Sequence, residues 1–186
     1  MEEIQMFLEE AEELMSKAVA HTSAEFLKIR AGKATPNMLD GIRVNYYGNI
    51  TPLNQVSSIT TPDARSIVIK PWEKSLIHEI EKAIMNSDLG LNPQNDGDIV
   101  RLNIPMLTED RRKDLVKQAK HEAETGKISI RNIRKDTNES LKKLLKEGAP
   151  EDEVKTAETK VQALTDKFVK KIDELLAAKE VDIMTV

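Results

Sequence analysis

At both ends of the chain, apolar and small residues recur every seven positions. Leu8, Met15, Thr22 and Ile29 form one row, and Ile4, Ala11 and Ala18 form a second. A second stretch opens at Thr108, a good N-cap, with Glu109 and Asp110 in its first turn. Its rows are Val116, Ala123, Ile130, Thr137, Leu144 and Ala119, Gly126, Ile133, Ser140, and Gly148 stops it. Pro150 opens a third stretch at a position where proline is tolerated. Val154, Val161, Phe168, Leu175 and Ala157, Leu164, Ala178 are its rows. Paired seven-residue rows predict a left-handed, coiled-coil-like bundle of three long helices. At about 1.5 Å per residue the second helix would be roughly 60 Å long.

Between residues 31 and 105 the pattern changes. Ile42, Val44 and Tyr46 alternate with Arg43 and Asn45, which predicts a strand, and Gly48-Asn49 predicts its turn. Ser66 to Lys70 and Ile99 to Ile104 are two further strands, and Glu73 to Ser87 is an amphipathic helix presenting Leu76, Ile80, Ala83 and Ile84. Pro36, Pro52, Pro62, Pro71, Pro93 and Pro105 all fall here, as do Trp72, Tyr46 and Tyr47. Two compositions in one chain imply two domains, one inserted in the other. The fold class is therefore α+β: a three-helix bundle from 1–30 and 106–186, carrying a small β/α/β insert at 31–105. The chain crosses between them at Arg30-Ala31-Gly32 and Ile104-Pro105-Met106. Glycine frees the backbone and proline blocks helix extension, so these crossings predict a hinge, with a rigid corner as the alternative.

Composition narrows the function. Hydrophobic residues make up 39% and charged residues 32%, with few aromatic rings, which suits thin helical layers better than a wide core. Cysteine is absent, so no thiolate chemistry is available. The acidic start Met1-Glu2-Glu3-Ile4 resembles neither a secretory signal nor a transit peptide, and no apolar run is long enough to span a membrane, so a cytoplasmic protein is expected. His21, His78 and His121 lie in three different predicted helices, without metal-ligand spacing. Gly32-Lys33-Ala34-Thr35 lacks the upstream glycine of a phosphate loop, and Asp96-Gly97-Asp98 is too short for a calcium loop. No nucleophile elbow is present. The expectation is a docking protein and not an enzyme, with no cofactor, no metal and no small-molecule substrate.

Charge then singles out one element. The net charge is −4, yet residues 108–147 sum to +4. At about 100° per residue, Lys113, Lys117, Lys120, Lys127, Arg131, Arg134, Lys135 and Lys142 fall within an arc of roughly 100°, interrupted by Glu124. Soluble helices commonly interleave signs as i,i+4 pairs, so a solvated face is one reading of this stripe. Segregated signs suit a phosphate backbone, and Arg131 and Arg134 add forked donors. No aromatic punctuates the stripe, which favours folded RNA read by shape over stacked single strands.

The run K-I-R-A-G-K-A-T-P at Lys28–Pro36, L-D-G-I at Leu39–Ile42 and Tyr46-Tyr47-Gly48 resemble the ribosome recycling factor family. So do D-L-G-L-N-P at Asp88–Pro93, L-T-E-D-R-R-K-D-L at Leu107–Leu115 and R-N-I-R-K-D at Arg131–Asp136. The resemblance covers essentially the whole chain in order. Lys33 and Lys135 depart from it, standing where the family often has arginine. It implies an L-shaped, tRNA-like monomer that binds the post-termination ribosome. It also implies that elongation factor G and GTP hydrolysis act with it to separate the subunits. The helical domain would lie across the peptidyl-transferase region of the large subunit and contact ribosomal RNA. Arg131 and Arg134 would carry that contact, with Arg112, Lys117, Lys120, Glu124, Lys127 and Lys135 as neighbours. A protein-binding helical adaptor or chaperone-like scaffold is the other reading of the same rod.

Overall fold

The computed structural model describes residues 2–185. Contacts divide the chain into two compact units. One joins the described residues up to Ala31 with those from Glu109 onward, and the other spans Gly32–Thr108.

The first unit holds three long helices: α1 (Glu2–Lys28), α4 (Glu109–Lys146) and α5 (Glu151–Met184). Acidic residues fill the first turn of each, where they complement the helix dipole. Local chemistry sets the turn between α4 and α5. Gly148 takes φ +105°, Ala149 N–H donates to Leu144 O at 3.0 Å and Gly148 N–H to Leu145 O at 3.2 Å. That pair of bonds is a Schellman motif, which closes the helix C-terminus and satisfies carbonyls that would otherwise be orphaned.

The seven-residue rows hold through much of the seam, with Leu8, Met15, Thr22 and Ile29 all buried, and depart from it locally. Buried positions are Ile4, Leu8, Ala11, Met15, Thr22, Phe26 on α1 and Leu115, Ala119, Ala123, Gly126, Ile130, Thr137, Leu141 on α4. On α5 they are Val154, Ala157, Val161, Thr165, Phe168, Ile172 and Ile183. Ile4, Met15 and Phe26 are eleven apart, as are Leu115, Gly126 and Thr137. Eleven residues over three turns is about 3.67 per turn, so eleven-residue spacings stand beside the sevens along this seam. A row of sevens on a straight helix drifts by about 20° per repeat. By three repeats beyond Ala157, Ala178 has turned out to solvent, while Thr165 and Ile172 have turned in.

Gly126 shows how close the helices come. A Cβ there would overlap Thr22 Oγ1 of α1 and stand 2.9 Å from Ile172 Cδ1 of α5.

The second unit contains more strands than the sequence suggests. Strands β1 (Arg43–Tyr46) and β2 (Asn49–Pro52) form a hairpin, followed by the short helix α2 (Leu53–Val56). Then come β3 (Ser57–Asp63), β4 (Ser66–Pro71), helix α3 (Ile77–Met85), β5 (Pro93–Asn95) and β6 (Val100–Asn103). The last four strands make an antiparallel sheet in the order β3-β4-β6-β5. Both outer strands carry a proline, Pro62 and Pro93, which an edge tolerates because one side of its ladder is unpaired. Ile77, Ile80 and Ile84 of α3 share a core with Ile67, Ile69, Val100 and Leu102. The residues expected to start that helix, Lys74–Leu76, form a 3-10 turn instead. The hairpin turn is also shifted by one residue. Tyr46 pairs with Asn49, leaving Tyr47 and Gly48 at φ +48° and +85° in the loop. Two positive φ values in a two-residue loop match the twist of the flanking strands.

Each unit has its own core, so removing the second should leave the first folded. Excising Gly32–Thr108 and closing the gap with a short Gly/Ser linker is expected to give a helical protein that melts cooperatively. Loss of the helical circular dichroism signal would show that the bundle depends on the insert.

Candidate nucleic-acid interface

The cations of α4 sort by their distance from the buried side, which runs through Ala119, Gly126, Ile130 and Thr137. Lys117, Arg131, Lys135 and Lys142 form an outer, exposed rank. Lys113, Lys120, Lys127 and Arg134 form an inner rank spaced by sevens, each step turned about 20° further toward the seam. Burial follows: Lys113 and Lys120 are exposed, Lys127 and Arg134 half-buried. Arg134 therefore does not stand clear of the packed side as Arg131 does.

Lys113 Nζ lies 3.2 Å from Glu109 Oε1 on α4 itself, while the rest of the inner rank reaches across to α5. Lys120 Nζ lies 3.7 Å from Glu180 Oε1, and Lys127 Nζ pairs with Asp173 Oδ1. The partners in each pair are equidistant in sequence from Pro150, as expected for antiparallel helices joined by a tight turn. The same symmetry sets Asp166 opposite Arg134, but that rung is built differently. Arg134 Nη1 donates to Gln162 Oε1 at 3.2 Å, and Gln162 Nε2 donates to Asp166 Oδ1 at 2.9 Å. Sevens at 166, 173 and 180, read against 134, 127 and 120, were the sequence signal for this ladder. Only the helix pairing gives that signal meaning.

In the outer rank, Arg131 Nη1 donates to Glu124 Oε1 at 2.8 Å, with both side chains about half exposed. Among the described residues no carboxylate forms an ion pair with Lys117, Lys135 or Lys142. Arg112 lies outside the stripe. It shares an eleven-residue row with Ala123 and Arg134, is half-buried, and its Nε has no hydrogen-bond partner among the described residues.

At the crossings, Arg30 and Ala31 follow the end of α1. Ile104, Pro105 and Met106 lie inside the second unit, so the return crossing is displaced toward Thr108. The cause is packing. Ile104 is 7% exposed in the insert core, and its N–H donates to Arg65 O at 2.7 Å. Ala34 N–H donates to the neighbouring Ala64 O at 2.8 Å, so both crossing segments are pinned to one turn. Gly32, at φ +71°, lies against Leu107, whose Cγ would be 2.7 Å from any Cβ there. Glycine is needed at that position on both counts.

Among the described residues, no group of His, Asp and Glu is arranged to hold a metal, and no helix is long and apolar enough to cross a membrane.

The family model for ribosome recycling factor matches residues 22–184. A ribosome-recycling factor from Amoebophilus asiaticus is 64% identical over the whole of both chains, and one from Cytophaga hutchinsonii is 59% identical over the same span. The solution structure of a ribosome recycling factor is similar with a TM-score of 0.79 and 37% identity, all of each chain being covered. A second similar structure is the Thermus thermophilus ribosome recycling factor, placed with Escherichia coli elongation factor G on the E. coli post-termination complex. Its TM-score is 0.63 at 43% identity, with 98% of this chain and 99% of the other covered.

Proposed function

The chain belongs to the ribosome recycling factor family, whose members are non-enzymatic translation factors, and from that premise we propose that α4 docks it on the post-termination ribosome. The outer rank and Arg134 meet ribosomal RNA across the peptidyl-transferase region of the large subunit. Elongation factor G and its GTP hydrolysis then drive the subunits apart. The insert turns on the two short crossings at Arg30-Ala31 and near Thr108 as the GTPase acts on it.

One observation carries this reading: some of the α4 cations are held by α5 carboxylates and the outer rank is not. Lys120 and Lys127 are occupied by Glu180 and Asp173, whereas Lys117 and Lys135 present full charge to solvent. A phosphate backbone is attracted to uncompensated charge, and each contact displaces a condensed counterion. Arg131 and Glu124 form a mixed site in the middle of this track. There a carboxylate can accept from a ribose hydroxyl or a base amine while the guanidinium takes phosphate.

The test removes equal charge from the two ranks. Lys117→Gln/Lys135→Gln should slow subunit splitting, followed by light scattering with elongation factor G and GTP, and should lower the salt slope of binding by about 0.7 to 0.9 per lost contact. Lys120→Gln/Lys127→Gln should leave both nearly intact and cost about 1 kcal/mol of stability at most. Equal loss from both pairs would mean that only net charge matters. No loss from either would favour a protein-binding scaffold.

A further inference from the structure

We propose that Gln162 and Asp166 of α5 are a positioning pair that holds the Arg134 guanidinium for RNA without neutralising it. The inference rests on the reading above, in which Arg134 contacts ribosomal RNA. Its own evidence is the irregular third rung of the α4–α5 ladder.

In the other two rungs, a cation of α4 meets a carboxylate of α5. A phosphate there meets a cation whose charge that carboxylate already offsets. At Arg134 the residue that symmetry places opposite is again a carboxylate, Asp166. Gln162, one helical turn earlier on α5, stands between them. Arginine only donates and an ionised aspartate only accepts, so a bridge between them must offer one acceptor and one donor. A side-chain amide does both, in a single orientation: Oε1 toward Arg134 and Nε2 toward Asp166. Asp166 therefore fixes the amide, and the amide fixes the guanidinium, while the carboxylate is kept one residue away from the positive charge.

The bond to Gln162 occupies one of the five N–H donors of the guanidinium. The others keep the planar fork that suits a phosphate or a base edge. The half-buried stem of Arg134, packed at the rim of the seam, removes further rotamers. Less freedom is then lost on docking, which is how preorganisation raises affinity. Gln162 and Asp166 are exposed, so replacing them does not open the core.

The experiment uses full-length protein and co-sedimentation with purified bacterial large ribosomal subunits over a series of salt concentrations. Melting temperatures are measured alongside. Gln162→Ala is expected to bind roughly three- to tenfold more weakly, within the usual range of coupling between contacting side chains. Gln162→Glu, which keeps the hydrogen bond but sets a carboxylate against the guanidinium, should bind more weakly still. Its salt slope should fall toward that of a protein lacking one contact, a change of about 0.7 to 0.9. Both should melt within a few degrees of the parent. Added to Arg134→Ala, Gln162→Ala should cause no further loss, because it acts only through that arginine. A purely structural hydrogen bond would move the melting temperature and leave the slope alone. Parental binding by Gln162→Ala, or losses that multiply in the double variant, would overturn the positioning role while leaving the RNA reading of α4 in place. Parental binding by Arg134→Ala would overturn both.

Discussion

Arg134→Glu is expected to lose about two orders of magnitude or more in affinity for large ribosomal subunits while remaining folded. A charge-assisted hydrogen bond contributes about 1.5–3 kcal/mol, so its removal alone costs roughly tenfold or more. Reversal adds a carboxylate facing phosphate. Arg134→Ala isolates the first part of that loss and should lower the salt slope by about 0.7 to 0.9. Stability should fall by only about 1 kcal/mol, from the hydrogen bond to Gln162 Oε1 at 3.2 Å and the packing of the half-buried stem. Lys160→Glu is the control. Lys160 is exposed on α5 and lines a groove with Gln5, Leu8 and Glu9 of α1, away from the α4 stripe. Its reversal should change binding little. If Arg134→Glu sediments with the subunits as the parent does, α4 is not the docking surface.

The largest expected effect on folding comes from a single methyl group. In an exposed helix interior, Gly→Ala gains about 1 kcal/mol in helix propensity. At Gly126 the sign should reverse, because the new Cβ would overlap Thr22 Oγ1 and press on Ile172 Cδ1 at 2.9 Å. Thr22 cannot simply turn away at no cost, since its hydroxyl is bonded to Ala18 O at 3.0 Å. Overpacking of this kind destabilises by about 1–3 kcal/mol. At this chain length that lowers the melting temperature on the order of 5 °C, followed by helical circular dichroism. Thr22→Ala in the Gly126→Ala background should restore most of the loss. The hydroxyl is then gone, and Ile172 Cδ1 is the end of a flexible side chain. A Gly126→Ala protein that melts at or above the parent would mean that the helices do not approach this closely at that point.

Much of the architecture is local chemistry, and so could be read before any folding. The C-cap glycine at 148, Pro150 ahead of α5 and the acidic first turns fix where the long helices end, because each acts on backbone within a turn of itself. Strands β4 and β6 were legible because β-branched and aliphatic residues cluster in S-I-V-I-K and I-V-R-L-N-I. By contrast β2, β3 and β5 are largely polar, and each contains a proline. Their strand character comes from pairing with neighbours, which no local pattern records.

The basic stripe on α4 was equally visible, since it depends on one helix alone. Which of its members keep their charge was decided by the tertiary structure. Sevens and elevens are hard to tell apart over a few turns, yet on a straight helix a row of sevens drifts by about 20° per repeat. That drift carries Lys127 and Arg134 to the rim of the seam and brings Asp173 and Gln162 within reach of them. Sequence alone determined the helices, the insert and the side of α4 that is basic, because those follow from periodicity and caps within single elements. Only the packing of α4 against α5 decided that Lys127 is held by a carboxylate and Arg134 by an amide. An ion pair between helices requires two side chains to meet, and their meeting depends on the register of two rods rather than on either one.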